Sequence, residues 1–281
     1  LPPQDQWPDF LLDGFDYPEY LNAGVELTDA MVNKGFGDHT ALIGNGRQRT
    51  YKELTDWTNR LAHAFVDDLG VKPGNRVMIR SANNPAMVAC WLAATKVGAV
   101  VVNTMPMLRS GELSEIVDKA EISHALCDTR LLEELDDCAQ KSQFLKSVVG
   151  FDGTSNHDAE LDRLALQKSV RFEAVKTGRD DVALLGFTSG TTGAPKGALH
   201  GHGILAGHLL GVSLSHDDLG APDDRLWTPA DWAWIGGLFD VLMPGLAFGV
   251  PVVAARMPKF NVDDCLNIIS EASVRNIFFP P

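Results

Sequence analysis

Residues Arg76–Thr104 read RVMIRSANNPAMVACWLAATKVGAVVVNT. Arg76–Arg80 is a short apolar run after the turn signal Lys72-Pro73-Gly74-Asn75, and reads as a strand. Pro85 suits the first position of a helix. Ala86–Val97 is apolar nearly all round, and a helix of that kind is buried on every face. Gly98 closes it, and Ala99–Val102 is a continuous apolar run of the sort covered on both faces in parallel sheets. Strand, buried helix and strand in succession form a βαβ unit.

The pattern continues outward in both directions. Downstream, Ser110–Ala120 and Thr129–Ala139 read as helices, and His124–Cys127 and Ser147–Phe151 as strands. Upstream, Ala41–Gly44 and Arg47–Thr50 flank Asn45-Gly46, a hairpin signal. Thr50 and Glu53 then form a capping box opening a helix with an apolar stripe at Leu54, Trp57, Leu61, Ala64 and Phe65. The first 25 or so residues are expected to lie extended on the body, and Asp152–Glu160 to be a surface loop. A second block begins near Asp180. It holds strand Val182–Phe187, a Gly/Thr-rich loop, a helix from about His202, strands Arg225–Thr228 and Val250–Ala254, helix Val262–Ala272 and strand Arg275–Phe279. The alternation predicts an α/β fold of doubly wound sheets with flanking helices. The expected division is 1–178 for a first α/β subdomain and 179–281 for the start of a second.

Composition narrows the function. The 281 residues carry a net charge of −13, which argues against a nucleic-acid partner, because phosphate neutralisation needs a basic surface. Four cysteines without paired spacing fit reduced thiols in a cytoplasm rather than a disulfide scaffold or zinc site. The longest apolar stretch, Trp234–Ala254, contains Asp240, two prolines and four glycines, so it reads as core and not as a membrane span. His200-Gly-His202 and the scattered Asp pairs supply no third ligand, so no metal site is expected.

The chemistry concentrates in Thr188-Ser-Gly-Thr-Thr-Gly-Ala-Pro-Lys-Gly197, ten residues with four hydroxyls, three glycines and one lysine directly after a hydrophobic strand. Glycines let backbone N–H groups approach an anion closely, and hydroxyls and Lys196 add donors and charge. The loop suits a polyphosphate, although its spacing is not that of a Walker A motif.

Phe187–Gly197 resembles, over eleven positions, the phosphate-loop signature of the adenylate-forming enzymes, which include acyl-CoA synthetases, luciferases and peptide-synthetase adenylation domains. Thr50-Tyr51-Lys52-Glu53-Leu54, Lys72–Val77 and Gly98–Asn103 resemble other stretches of that family. The resemblance implies a two-step ligase. A carboxylate attacks the α-phosphate of Mg2+-ATP to give an acyl-adenylate and pyrophosphate, and coenzyme A then displaces AMP. It implies that Thr188, Ser189, Gly190, Thr191, Thr192, Gly193 and Lys196 hold the ATP phosphates. Trp227–Phe239 resembles the acyl-pocket motif of acetyl- and medium-chain acyl-CoA synthetases, with Trp234 and Gly237 on matching positions and Ala233 in place of the usual glycine. His202, after the phosphate loop, is expected beside that pocket. Leu1–Pro8 and Leu126-Cys127-Asp128 are similar to 2-aminobenzoate-CoA ligases, so the acid stays open.

The family's adenine, Mg2+ and ribose contacts and the lysine of its small C-terminal domain resemble nothing after Lys196. The expectation is therefore an N-terminal portion, inactive alone, with no catalytic residue of its own and apolar surface that favours self-association. Two other readings compete: a non-catalytic nucleotide-binding or interaction module, and a peptide-synthetase-type adenylation domain with Asp231 as amino-acid ligand.

Overall fold

A computed structural model describes residues 18–154, 158–188, 195–257 and 259–280. Eleven strands among these residues form two sheets: β1 (Thr40–Gly44), β2 (Arg47–Thr50), β3 (Arg76–Arg80), β4 (Val100–Thr104), β5 (His124–Asp128), β6 (Ser147–Phe151), β7 (Val182–Thr188), β8 (Lys196–Gly201), β9 (Leu226–Trp227), β10 (Val252–Val253) and β11 (Asn276–Ile277). The six-stranded sheet runs β6-β5-β3-β4-β7-β8, and the five-stranded sheet β11-β9-β10-β1-β2. Neighbours are parallel except in the hairpins β1–β2 and β7–β8. This is the expected α/β architecture.

The helix Pro85–Lys96 is buried at every residue, because it packs in one core with residues of both sheets, including Leu42, Val77, Ile79, Leu226 and Val252. Asn84 caps it by accepting from the Met87 N–H. The capping box is formed as read: Thr50 accepts from the Glu53 N–H, and Glu53 accepts from the Thr50 N–H. The hairpin turn at Asn45 and Gly46 has φ of 54° and 68°, the left-handed pair a type I′ turn requires.

Three expectations need correction. Both sheets draw strands from both sides of residue 178: β7 and β8 join the sheet of β3–β6, and β9–β11 join that of β1 and β2. The division at 178/179 therefore does not separate the sheets. Second, of the opening segment, residues 1–17 lie outside the described residues, and Ala23–Glu26 is helical because Asn22 accepts from the Gly24 and Val25 N–H groups. Third, Lys196–Gly201 is a strand. Its two glycines give it little intrinsic preference, and its pairing with β7 supplies the order instead.

Lys96 ends the central helix with its side chain fully buried; its ammonium donates to Asp29 Oδ2 and to Asn59 Oδ1 (2.7 Å for the latter). Burial lowers its pKa, and the Asp29 carboxylate pulls the other way. Removing the carboxylate strands a buried charge. Asp29→Ala is expected to cost about 2 kcal/mol, and the double variant Asp29→Ala/Lys96→Met to recover most of it. Urea unfolding of the three proteins checks this; a double variant no more stable than Asp29→Ala would refute it.

Candidate functional site

In the six-stranded sheet the chain leaves β3 for β4 on one side and later places β5 on the other, so the strand order reverses between β3 and β5. Open α/β sheets bind ligands at the carboxyl ends of strands flanking such a reversal. Arg80 to Asn83 stand at that end of β3; β4, the neighbour on its other side, ends at Asn103 to Met105, and β7 delivers Thr188 beside it.

The β7–β8 pairing sets Thr188 directly opposite Lys196. Directly paired residues share a face of the sheet, so the hydroxyl and the ammonium project together. Both residues are exposed. Ser189, Gly190, Thr191, Thr192 and Gly193 lie between them in sequence and outside the described residues. The ammonium of Lys119, in the last turn of helix Ser110–Ala120, donates to the Pro195 carbonyl at 2.5 Å and ties the returning limb to the body.

Next to Thr188 lies a cavity of about 200 Å3, walled among others by Asn103, Thr104, Met105, Phe187, Pro195 and Ala233. Ala233 belongs to the tryptophan motif, so the two sequence motifs meet there. The motif follows β9 as a loop held by Asn83. Asn83 Oδ1 accepts from the Trp232 N–H (2.8 Å), and its amide donates to the Ala230 carbonyl (2.8 Å). Nothing in the sequence marks Asn83 for this, since Asn83-Asn84-Pro85 reads simply as a helix cap.

The motif's tryptophans divide. Trp227 and Trp232 are core, whereas Trp234 is 46% exposed and stacks on Phe278 with ring centroids 6.1 Å apart. A Cβ on Gly236 would come within 2.2 Å of the Trp234 ring, so the indole needs a glycine at that position. Gly237 is buried, and a Cβ there would meet the Asp231 carbonyl at 2.8 Å; its role is close backbone packing. Asp231 caps the turn by accepting from the Ala233 N–H, and burial raises its pKa to about 6, with that N–H and Arg256 opposing. It lines a second cavity, of about 170 Å3, with Asn83, Met105 and Arg256.

His202 does not join this group. Its side chain is buried, and Nδ1 accepts from the Ala23 N–H at 3.1 Å, fastening the first helix to the end of β8. Burial pushes its pKa down to about 4 against the pull of Asp181. Two other histidines meet the motif at Phe239: His208, with its ring 5.2 Å away, and, carried by β8, His200. It sits on the Thr188–Lys196 face of β8, with its ring 6.1 Å from Phe239 and its buried Nε2 without a hydrogen-bond partner. Strand alternation places it there, a signal that required seeing Lys196–Gly201 as a strand. Among the described residues no three His, Cys, Asp or Glu side chains converge to hold a metal ion.

The α/β sheet thus carries an in-register hydroxyl–lysine pair beside a cavity at the carboxyl end of β7. The chain belongs to the AMP-binding enzyme family, whose profile matches residues 30–281. It is 29% identical over 248 residues to the uncharacterized acyl–CoA ligase YtcI of Bacillus subtilis, covering 86% of this chain and 45% of that protein. It is 28% identical over 238 residues to the 3-hydroxybenzoate–CoA/4-hydroxybenzoate–CoA ligase of Thauera aromatica, covering 84% and 45%. Its fold matches the anthranilate CoA ligase AuaEII in complex with anthranoyl-AMP, with a TM-score of 0.79 at 23% identity, covering 90% of this chain and 48% of that one. It also matches ATP-bound MatB from Rhodopseudomonas palustris, with a TM-score of 0.74 at 26% identity, covering 89% and 47%. The chain thus spans about half the length of the curated relatives it matches.

Proposed function

We propose that this chain forms the phosphate-binding part of an ATP-dependent ligase joining a small carboxylic acid to coenzyme A. The observation that carries the reading is the in-register pair Thr188–Lys196 at the carboxyl end of β7, beside the cavity that Ala233 shares. A carboxylate is a poor electrophile. Its oxygen attacks the α-phosphorus of ATP, the bond to the β-phosphate oxygen breaks, and pyrophosphate leaves. The coenzyme A thiolate then attacks the acyl carbon and AMP leaves. Thr188, Lys196 and residues 189–193 would hold the β- and γ-phosphates, with Mg2+ entering as the ATP complex. Trp234 would bound the acyl group. The protein's contribution is positioning and charge stabilisation, and its ATP and coenzyme A supply suits the cytoplasm.

The relatives carry as much sequence again beyond the matched half, so the 281-residue chain alone is expected to be inactive. The test is pyrophosphate release by the intact protein over a panel of aromatic, short-chain and medium-chain acids, with and without coenzyme A. Acid-dependent release is the expected result. Release indifferent to acid would sink the ligase reading.

A further inference from the structure

Arg80, the last residue of β3, is 1% exposed, and among the described residues no carboxylate pairs with it. Its guanidinium donates instead to main-chain carbonyls. Nη1 reaches Met105 (2.9 Å), Nη2 reaches Pro106 (3.1 Å) and Leu108 (2.8 Å), and Nε makes a longer contact with Leu131 (3.4 Å). Three of the four acceptors belong to the single loop that follows β4. That loop separates the two cavities of the site: Met105 lines both, Pro106 and Met107 line the cavity of Asp231 and Arg256, and Leu108 lines the cavity of Thr188.

A buried cation with no carboxylate in direct contact, only Glu134 acting on it from a distance, is a costly way to gain stability, since an apolar side chain of the same volume avoids the desolvation. What a planar fork of five donors uniquely provides is fixed geometry toward several acceptors at once. We infer that Arg80 is a positioning residue of this site, setting loop 105–108 as the partition between the two cavities. Lysine cannot replace it, because a single ammonium on a flexible stem does not span those carbonyls. The kinetic part of this inference rests on the ligase reading; the structural part does not.

Two variants of the intact protein test it. Arg80→Lys keeps the charge and removes the fork. Pro106→Gly loosens the same loop and leaves the buried charge in place. With methyl-13C methionine, Arg80→Lys is expected to shift or broaden the Met105 and Met107 signals while those of Met31, Met87 and Met243 in the main core hold still. Both variants are expected to lower kcat/KM for the acid about tenfold, as a displaced wall misplaces the reacting groups. If Arg80→Lys does not fold, Pro106→Gly carries the kinetic arm. A folded variant of either kind with kcat/KM within about twofold of wild type overturns the inference. If wild type releases no pyrophosphate with any acid, the ligase reading falls separately, and unchanged Met105 and Met107 signals in Arg80→Lys then overturn the role of Arg80.

Discussion

Lys196→Ala is expected to lower kcat/KM for ATP in acid-dependent pyrophosphate release by on the order of a hundredfold, with the fold intact. The size follows from charge. Pyrophosphate departure accumulates negative charge, and a fixed cation beside it is worth far more there than in bulk water. The stability cost is small because Lys196 is exposed at the first position of an edge strand, where it makes no core contact. Lys119→Met serves as the contrast. It removes a tie to the Pro195 carbonyl but not the residue opposite Thr188, so its loss should be within a few-fold. Equal rates for Lys196→Ala and wild type would show that the hairpin does not face the phosphates.

The second large effect is on stability. His202 is neutral in the fold, accepting from the Ala23 N–H, and its pKa lies near 4 against an ordinary value of 6.5. The unfolded chain therefore takes up the proton first. Stability contributed by the neutral imidazole is complete above about pH 6.5 and is lost as pH falls toward 4. Between pH 7.5 and pH 5 the loss from this residue is about 2 kcal/mol. Asp231 acts in the opposite sense, since its carboxyl, raised to about 6, gains a proton in the fold before it does in the unfolded chain. The informative quantity is thus the difference between wild type and His202→Asn, whose side-chain oxygen can still accept from Ala23. Urea unfolding at the two pH values should show wild type losing about 2 kcal/mol more than the variant. Parallel losses would mean that His202 is not the titrating group.

Much of the fold was legible because local signals and global burial agree in the first half of the chain. The capping box at Thr50, the turn at Asn45-Gly46 and the all-apolar helix Pro85–Lys96 each have a mechanism that acts within a few residues. β8 was not legible, because its order comes from β7 and not from Lys-Gly-Ala-Leu-His-Gly. The same distinction divides the site. A dense run of glycine, hydroxyl and lysine announces itself in sequence, and Trp234 stands out by its motif. Asn83 and Arg80 act by reaching loops 25 to 149 positions away, and no local pattern encodes that reach. His202 was misplaced for a related reason: chain order set it after the phosphate loop, and packing turned its ring toward Ala23.

The mixed parentage of the two sheets also bears on synthesis. β1 pairs in parallel with β10, Leu42 against Val252, so its partner emerges 252 − 42 = 210 residues later. At about 5–20 residues per second, that is on the order of 10–40 s during which the first hairpin has left the ribosome and its sheet cannot close. Its apolar face, Ala41 and Leu42, is fully covered only in the finished fold. A nascent chain of this design depends on holding that early edge apart from its neighbours until the last strands arrive.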